Sequence, residues 1–172
     1  MTELAHIRLR TLGWFLAFPL AFFGLLPWWL HRHFEGLFLW QGDARQWLGV
    51  WLIANGAGLA GWCVNLFNIE GRGTPLPLDP PTRFVASGPY RFVRNPMMLG
   101  IWLVLGGEAF LYQSKAVAAY LLVIMALAAT FVRFIEEPDL ERRFGPPYLA
   151  YKRTVPRWVP RLISGAPRRE KE

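Results

Sequence analysis

The chain has 172 residues, 53% of them hydrophobic, with 9 Trp and 13 Phe, and one small soluble core cannot hide that much apolar surface. Its formal charge of +7 does not point to nucleic acid, because the basic residues sit in the connections and the C-terminal tail and do not interleave with aromatics as in a single-strand groove. Anionic lipid headgroups are the expected counterpart. The single cysteine, Cys63, excludes an intrachain disulfide and a Cys-based metal site, and no metal is expected.

The apolar residues gather into runs near the length of about 20 that a helix needs to cross hydrocarbon. The first runs from Leu12 to Leu30, with Pro19 and Pro27 as kinks or end markers, and His31, Arg32 and His33 stop it. It passes Trp28 and Trp29 without a small-residue cleavage site, so no cleaved secretory signal is expected. A polar loop leads to a second run, Trp47 to Ile69, whose Gly49, Gly56, Gly58 and Gly61 allow close helix contact.

From Glu70 to Asn95 the glycines and prolines forbid a continuous helix. Leu76, Leu78, Phe84, Val85, Tyr90 and Phe92 give this connection the apolar content of an ordered lid or pocket wall. A third run, Met97 to Tyr112, and a fourth, Ala116 to Ile135, flank the short turn Gln113 to Lys115 as a helical hairpin. Pro138 to Phe144 reads as an interfacial helix exposing Arg142 and Arg143, and residues 164–172 as a disordered tail. The expected fold is an all-α integral membrane bundle of about four spans, a single domain over residues 1–172. Of 19 Lys and Arg, fifteen fall before span one, in the long connection and in the tail, and three (Arg32, Arg45, Lys115) on the opposite side. The positive-inside rule then places both termini in the cytoplasm.

Two constellations carry chemistry. Arg133, Glu136 and Glu137 are ionisable groups at the end of the fourth run, and unpaired charge there costs at least ~2.5–3.5 kcal/mol. They are either a helix-end ion pair at i, i+3 or i+4 spacing or part of a site. Glu108, toward the outer end of the third run, is expected to snorkel or pair. The second constellation is the segment Gly88 to Gly100, where Pro96 suits a first helical turn and Asn95 its cap. Tyr90, Arg91 and Arg94 beside that positive helix start would also receive an anion such as a carboxylate.

Taken together, these read G-P-Y-R-x-V-R-N-P-M-x-x-G, an apolar hairpin, then Glu136, Glu137, Leu140 displaced by one place, Phe144, Gly145, Tyr148, Tyr151, Val155, Pro156 and Pro160. This pattern closely resembles the C-terminal half of the isoprenylcysteine carboxyl methyltransferase family and, more distantly, the phospholipid N-methyltransferases, over Gly71 to Arg161. Two positions depart from the family's R-H-P-x-Y, where Asn95 replaces His and Met98 replaces Tyr. Asn keeps a donor and an acceptor but cannot titrate, and Met98 offers only a polarizable apolar contact.

The resemblance implies a methyltransferase that takes S-adenosylmethionine in a cytoplasm-facing pocket and acts on a lipophilic acceptor, a carboxylate or a lipid amine, with the bilayer as its other partner and no obligatory protein partner. Carried over by motif, Thr82, Phe84, Val85, Tyr90 and Arg94 line the cofactor pocket, Asn95, Pro96 and Met98 meet the cofactor from the helix start, and Glu136, with Glu137 second, binds its polar part. Arg133 falls one residue from the family's substrate arginine, which makes it either the partner of an anionic substrate group or an ion pair of Glu137. A nicotinamide-dependent membrane reductase and a small transporter or scaffold are the alternatives. Gly71-Arg72-Gly73 is too short for a dinucleotide fingerprint.

Overall fold

A computed structural model describes residues 17, 19–71 and 81–161. The start of the first run, Leu76, Leu78 and the 164–172 tail lie outside the described residues. Among the described residues every regular element is helical. In chain order these are α1 (Leu26–Phe34), α2 (Ala44–Leu66), a 3₁₀ turn (Gly88–Arg91), α3 (Pro96–Tyr112), α4 (Lys115–Phe131), α5 (Glu137–Phe144) and α6 (Pro146–Thr154). Three π-helical turns, Ala21–Leu25, Phe67–Gly71 and Val132–Glu136, precede α1, prolong α2 and join α4 to α5.

Two continuous helical stretches, Ala44–Gly71 and Lys115–Phe144, are long and apolar enough to cross a bilayer, and only 11% and 6% of the residues in their most apolar windows are buried. The core helix of a soluble protein would hide such windows; here Trp51, Trp62, Leu122, Leu127 and Phe131 stand exposed, as lipid-facing side chains do. The apolar α3, with 17 residues, reaches about 26 Å, just under the thickness of the hydrocarbon.

Several boundaries differ from the sequence expectation. His31, Arg32 and His33 do not stop the first helix; they form the last turn of α1, where cations favour the helix C-terminus, and the chain leaves the helix at Gly36 with φ +99°. The 138–144 segment is helical and exposes Arg142 and Arg143 as expected, but it continues from α4 through the π turn. Prolines explain both π turns that precede helices. Pro27 and Pro138 each sit in the first two positions after such a turn, and the N–H before each reaches five residues back, Leu26 to Ala21 O and Glu137 to Val132 O. The wider turn relieves the clash of the proline ring with the carbonyl four residues earlier.

The chain forms two compact units. The first combines Met1–Ala54 with Val104–Leu121. Here Asp43 Oδ1 accepts the Gln46 N–H at 2.8 Å, while the buried Gln46 side chain accepts the N–H groups of Gln41 and Gly42 and donates to Leu39 O. This knot starts α2. Glu35 Oε1 accepts the N–H of Lys115 (2.7 Å) and of Ala116 (3.2 Å), satisfying the otherwise unpaired donors at the start of α4. A Cβ on Gly49 would stand 2.6 Å from Gly107 O, and one on Gly107 2.6 Å from Gly49 O, so these helices meet backbone to backbone. Glu108 does not snorkel: it is buried, and among the described residues its Oε2 has no hydrogen-bond partner.

The second unit combines Asn55–Leu103 with Leu122–Glu172 and has two apolar cores. Cys63, Val85 and Tyr90 pack with Leu59, Leu66, Phe67 and Met97. Tyr148, Tyr151 and Val155 pack with Phe84, Ala86, Leu140 and Phe144. The Tyr151 hydroxyl donates to Tyr90 O at 2.7 Å and ties the two together.

Candidate functional site

Every residue the sequence nominated falls in the second unit. The start of α3 is held from outside: Arg94 N–H donates to Pro156 O (2.9 Å), Arg161 N–H to Phe92 O (3.0 Å), and the Asn95 side-chain amide to Arg157 O (3.1 Å). That accounts for the spaced Val-Pro and Pro of the C-terminal motif. Val155 is buried, and the segment after it runs beside residues 92–95. Asn95, expected as a cap, uses its amide group as a tie to this segment, while its backbone carbonyl accepts the Leu99 N–H at 3.2 Å. Pro96 is fully buried at the first position of α3 and Met98 is half-buried.

The π turn Val132–Glu136 sets the directions of the two carboxylates. Glu137 is buried, 3% exposed. Its Oε1 and Oε2 each accept from Arg157 at 2.8 Å, Arg94 Nη1 stands 2.8 Å from Oε1, and Lys152 Nζ is 3.4 Å from Oε2. The hydrogen bond to Glu137 raises the Arg157 guanidinium above its ordinary value, so the cation persists at any physiological pH.

Glu136 is different in kind. Among the described residues its Oε2 is buried with no hydrogen-bond partner, and so is Arg94 Nε. Burial, with neighbouring Cys63 and Glu136, pushes the Tyr90 phenol up; burial, with Glu137 close by, pushes Tyr148 up to about 12. Both phenols therefore stay protonated near neutral pH. Trp102 Nε1, whose ring lies 4.7 Å from that of Trp158, is a third buried polar atom without a partner. A buried polar group left alone costs about 1–3 kcal/mol, so the Glu136 acceptor and the Arg94 donor, which share Tyr148 as a neighbour, suit a ligand that bears both a cationic and an anionic group.

Not every nominated residue joins this cluster. Thr82 is exposed, and both its N–H (2.9 Å) and Oγ1 (3.4 Å) donate to Gly71 O. Phe84 packs edge-on against Tyr148 and Tyr151, and Val85 is a core residue. Arg133 is exposed and lies over the Phe134 ring at 5.4 Å. The ion pair between Arg133 and Glu137 is not formed; Glu137 pairs instead with Arg94, Lys152 and Arg157. Sequence reasoning gave no role to Arg157 or Trp102. Arg157 occupies a variable place between Pro156 and Pro160, and Trp102 sits in an apolar run, so neither carried a signal of its own.

Comparison with known proteins is consistent with the motif resemblance. The phospholipid methyltransferase family model matches residues 44–147, which include every nominated site residue. Methanethiol S-methyltransferase 2 of Bradyrhizobium diazoefficiens is 33% identical over 137 residues, covering 76% of this chain and 49% of that protein. The chain thus spans about half the length of the curated relative it matches. No solved structure matches. With α2 through α5 inside the matched segment, the chain belongs to the phospholipid methyltransferase family.

Proposed function

We propose that this membrane protein is an S-adenosylmethionine-dependent methyltransferase acting on a lipophilic acceptor at the cytoplasmic face of the bilayer. One observation carries the reading: Glu136 presents a buried, partnerless carboxylate oxygen in the same cluster as Arg94, whose Nε is equally without a partner. The amino-acid part of the donor, an ammonium and a carboxylate, matches that pair. When bound, S-adenosylmethionine supplies a methyl group on a sulfonium, so that an acceptor lone pair forms the new bond to carbon as the sulfur–carbon bond breaks and a neutral thioether leaves.

The chain's own residues bind, orient and exclude water. Glu136 accepts from the donor's polar part, and Arg94 faces its carboxylate. Tyr90, Asn95, Pro96 and Met98 form the wall that fixes the alignment on which such a displacement depends, with Phe84 packed behind it on Tyr148 and Tyr151. Glu137 contributes through Arg94, and Thr82 and Val85 support the wall. Exposed Arg133 is the partner for an anionic group on the acceptor, where a guanidinium offers two parallel donors.

The acceptor is a lipid-soluble carboxylate, amine or thiol that enters laterally from the bilayer; the relative named for methanethiol adds the thiol to this class. An ammonium or thiol acceptor must first lose its proton, whereas a carboxylate need not. The Lys and Arg distribution supports four spans with both termini cytoplasmic. Family membership favours methyl transfer over the reductase and transporter alternatives.

The test is methyl-labelled S-adenosylmethionine incubated with the detergent-purified chain and, separately, extracted membrane lipids, methanethiol and a water-soluble carboxylate. Label in a lipid-soluble product supports the proposal. Label only in the water-soluble product, or, in a parallel incubation with NADPH, its consumption without methyl transfer, contradicts it.

A further inference from the structure

Glu137 is surrounded by more cations than one carboxylate neutralises. Arg157 grips it with two parallel hydrogen bonds, Nε to Oε1 and Nη2 to Oε2, a geometry that fixes the plane of the carboxylate. Arg94 Nη1 meets Oε1 at 2.8 Å, in a contact where the Arg94 and Glu137 side chains are only 10% and 4% exposed. Lys152 stands 3.4 Å from Oε2 but also pairs with Glu141. The main chain reinforces this grip, because Arg157 O accepts the Asn95 amide and Pro156 O accepts the Arg94 N–H. The 156–157 backbone therefore holds residues 94 and 95, and the Arg157 side chain fixes the carboxylate plane that Arg94 meets. Arg94 is left with a buried Nε that has no partner among the described residues.

We propose that Arg157, acting through Glu137, is a positioning residue that holds the Arg94 guanidinium so that its partnerless Nε–H receives the carboxylate of the methyl donor. Arg157 itself does not touch the donor. It lies beyond residue 147, where the family match ends, and rests on the reading of this cluster as the S-adenosylmethionine site. The bidentate geometry requires a guanidinium; a lysine would offer a point charge that cannot fix the carboxylate plane.

The test uses the full chain in detergent, with calorimetric titration of S-adenosylmethionine and of its decarboxylated analogue, which lacks only the carboxylate. Wild type should prefer S-adenosylmethionine. Arg157→Met should weaken S-adenosylmethionine about tenfold or more, the scale of a charge-assisted hydrogen bond, and leave the analogue unchanged, so that the preference collapses. Arg157→Lys, which keeps the charge and one hydrogen bond to Glu137, should also lose most of the preference, and it decides the matter if Arg157→Met does not fold. Variants that discriminate as wild type does, or a wild type that binds both ligands equally, overturn the inference. A wild type that binds neither overturns the donor-site reading itself.

Discussion

Arg94 Nη1 stands 2.8 Å from Glu137 Oε1, joining the residue two places before α3 to the first residue of α5. The two halves of the sequence motif, separated in the chain by an apolar hairpin, thus meet as one buried ion pair. A buried carboxylate shared by three cations is costly to disturb, because removing it strands charges away from water.

Glu137→Gln should therefore destabilise the protein by about 3 kcal/mol, the lower end for breaking a buried pair, measured as the loss of unfolding free energy in detergent. A change within about 0.5 kcal/mol, the level of an ordinary surface substitution, would show that Arg94 and Arg157 find other partners and that the cluster is not built around Glu137.

Gly49→Ala places a methyl 2.6 Å from both Gly107 O and Leu111 N. Neither atom can yield without moving a helix backbone, so a loss of about 1–3 kcal/mol is expected from overpacking. Gly58→Ala, whose Cβ meets nothing within 4 Å, is the matched control and should be neutral or slightly stabilising, since alanine is the better helix former. Equal melting temperatures for the two variants would refute backbone contact at Gly49.

Burial acts to raise the Glu35 carboxyl, but its hydrogen bonds with Ser114, Ala116, His31 and Lys115 bring the group below its ordinary value of 4.5. A carboxylate lowered on folding contributes stability above its unfolded value, and that contribution is lost as pH falls through the lowered folded value. Glu35→Gln should be less stable than wild type at neutral pH, and the two melting curves should converge as the solution is acidified below the ordinary carboxylate range. A gap that stays constant down to that acidity would mean that the charge of Glu35 does not cap α4.

Much of this was legible in the sequence, for identifiable reasons. Apolar run length is a strong signal in a membrane protein, so α2, α3 and α4 fall within a few residues of the expected spans. The boundaries that moved are those set by context. His31 is read as a stop from its polarity, yet it is buried against Tyr112, the ring centroids 5.1 Å apart. Pro138 is read as the start of a new helix, yet a π turn absorbs it. At the candidate site, motif spacing singled out Arg94, Glu136 and Glu137, but the carboxylate of Glu137 is held by Arg157, 20 residues beyond it. No periodicity or local pattern encodes a contact of that kind.

Binding of the methyl donor by the cluster around Glu136 is decided by titrating S-adenosylmethionine calorimetrically into the purified chain and its Glu136→Gln variant, with a melting curve for each. Because Glu136 Oε2 has no partner in the protein, the substitution should leave donor-free stability nearly unchanged while weakening binding by about 1–3 kcal/mol, the range for hydrogen bonds to a charged group. A variant that melts well below wild type and binds S-adenosylmethionine with wild-type affinity would contradict the account and remove Glu136 from the site.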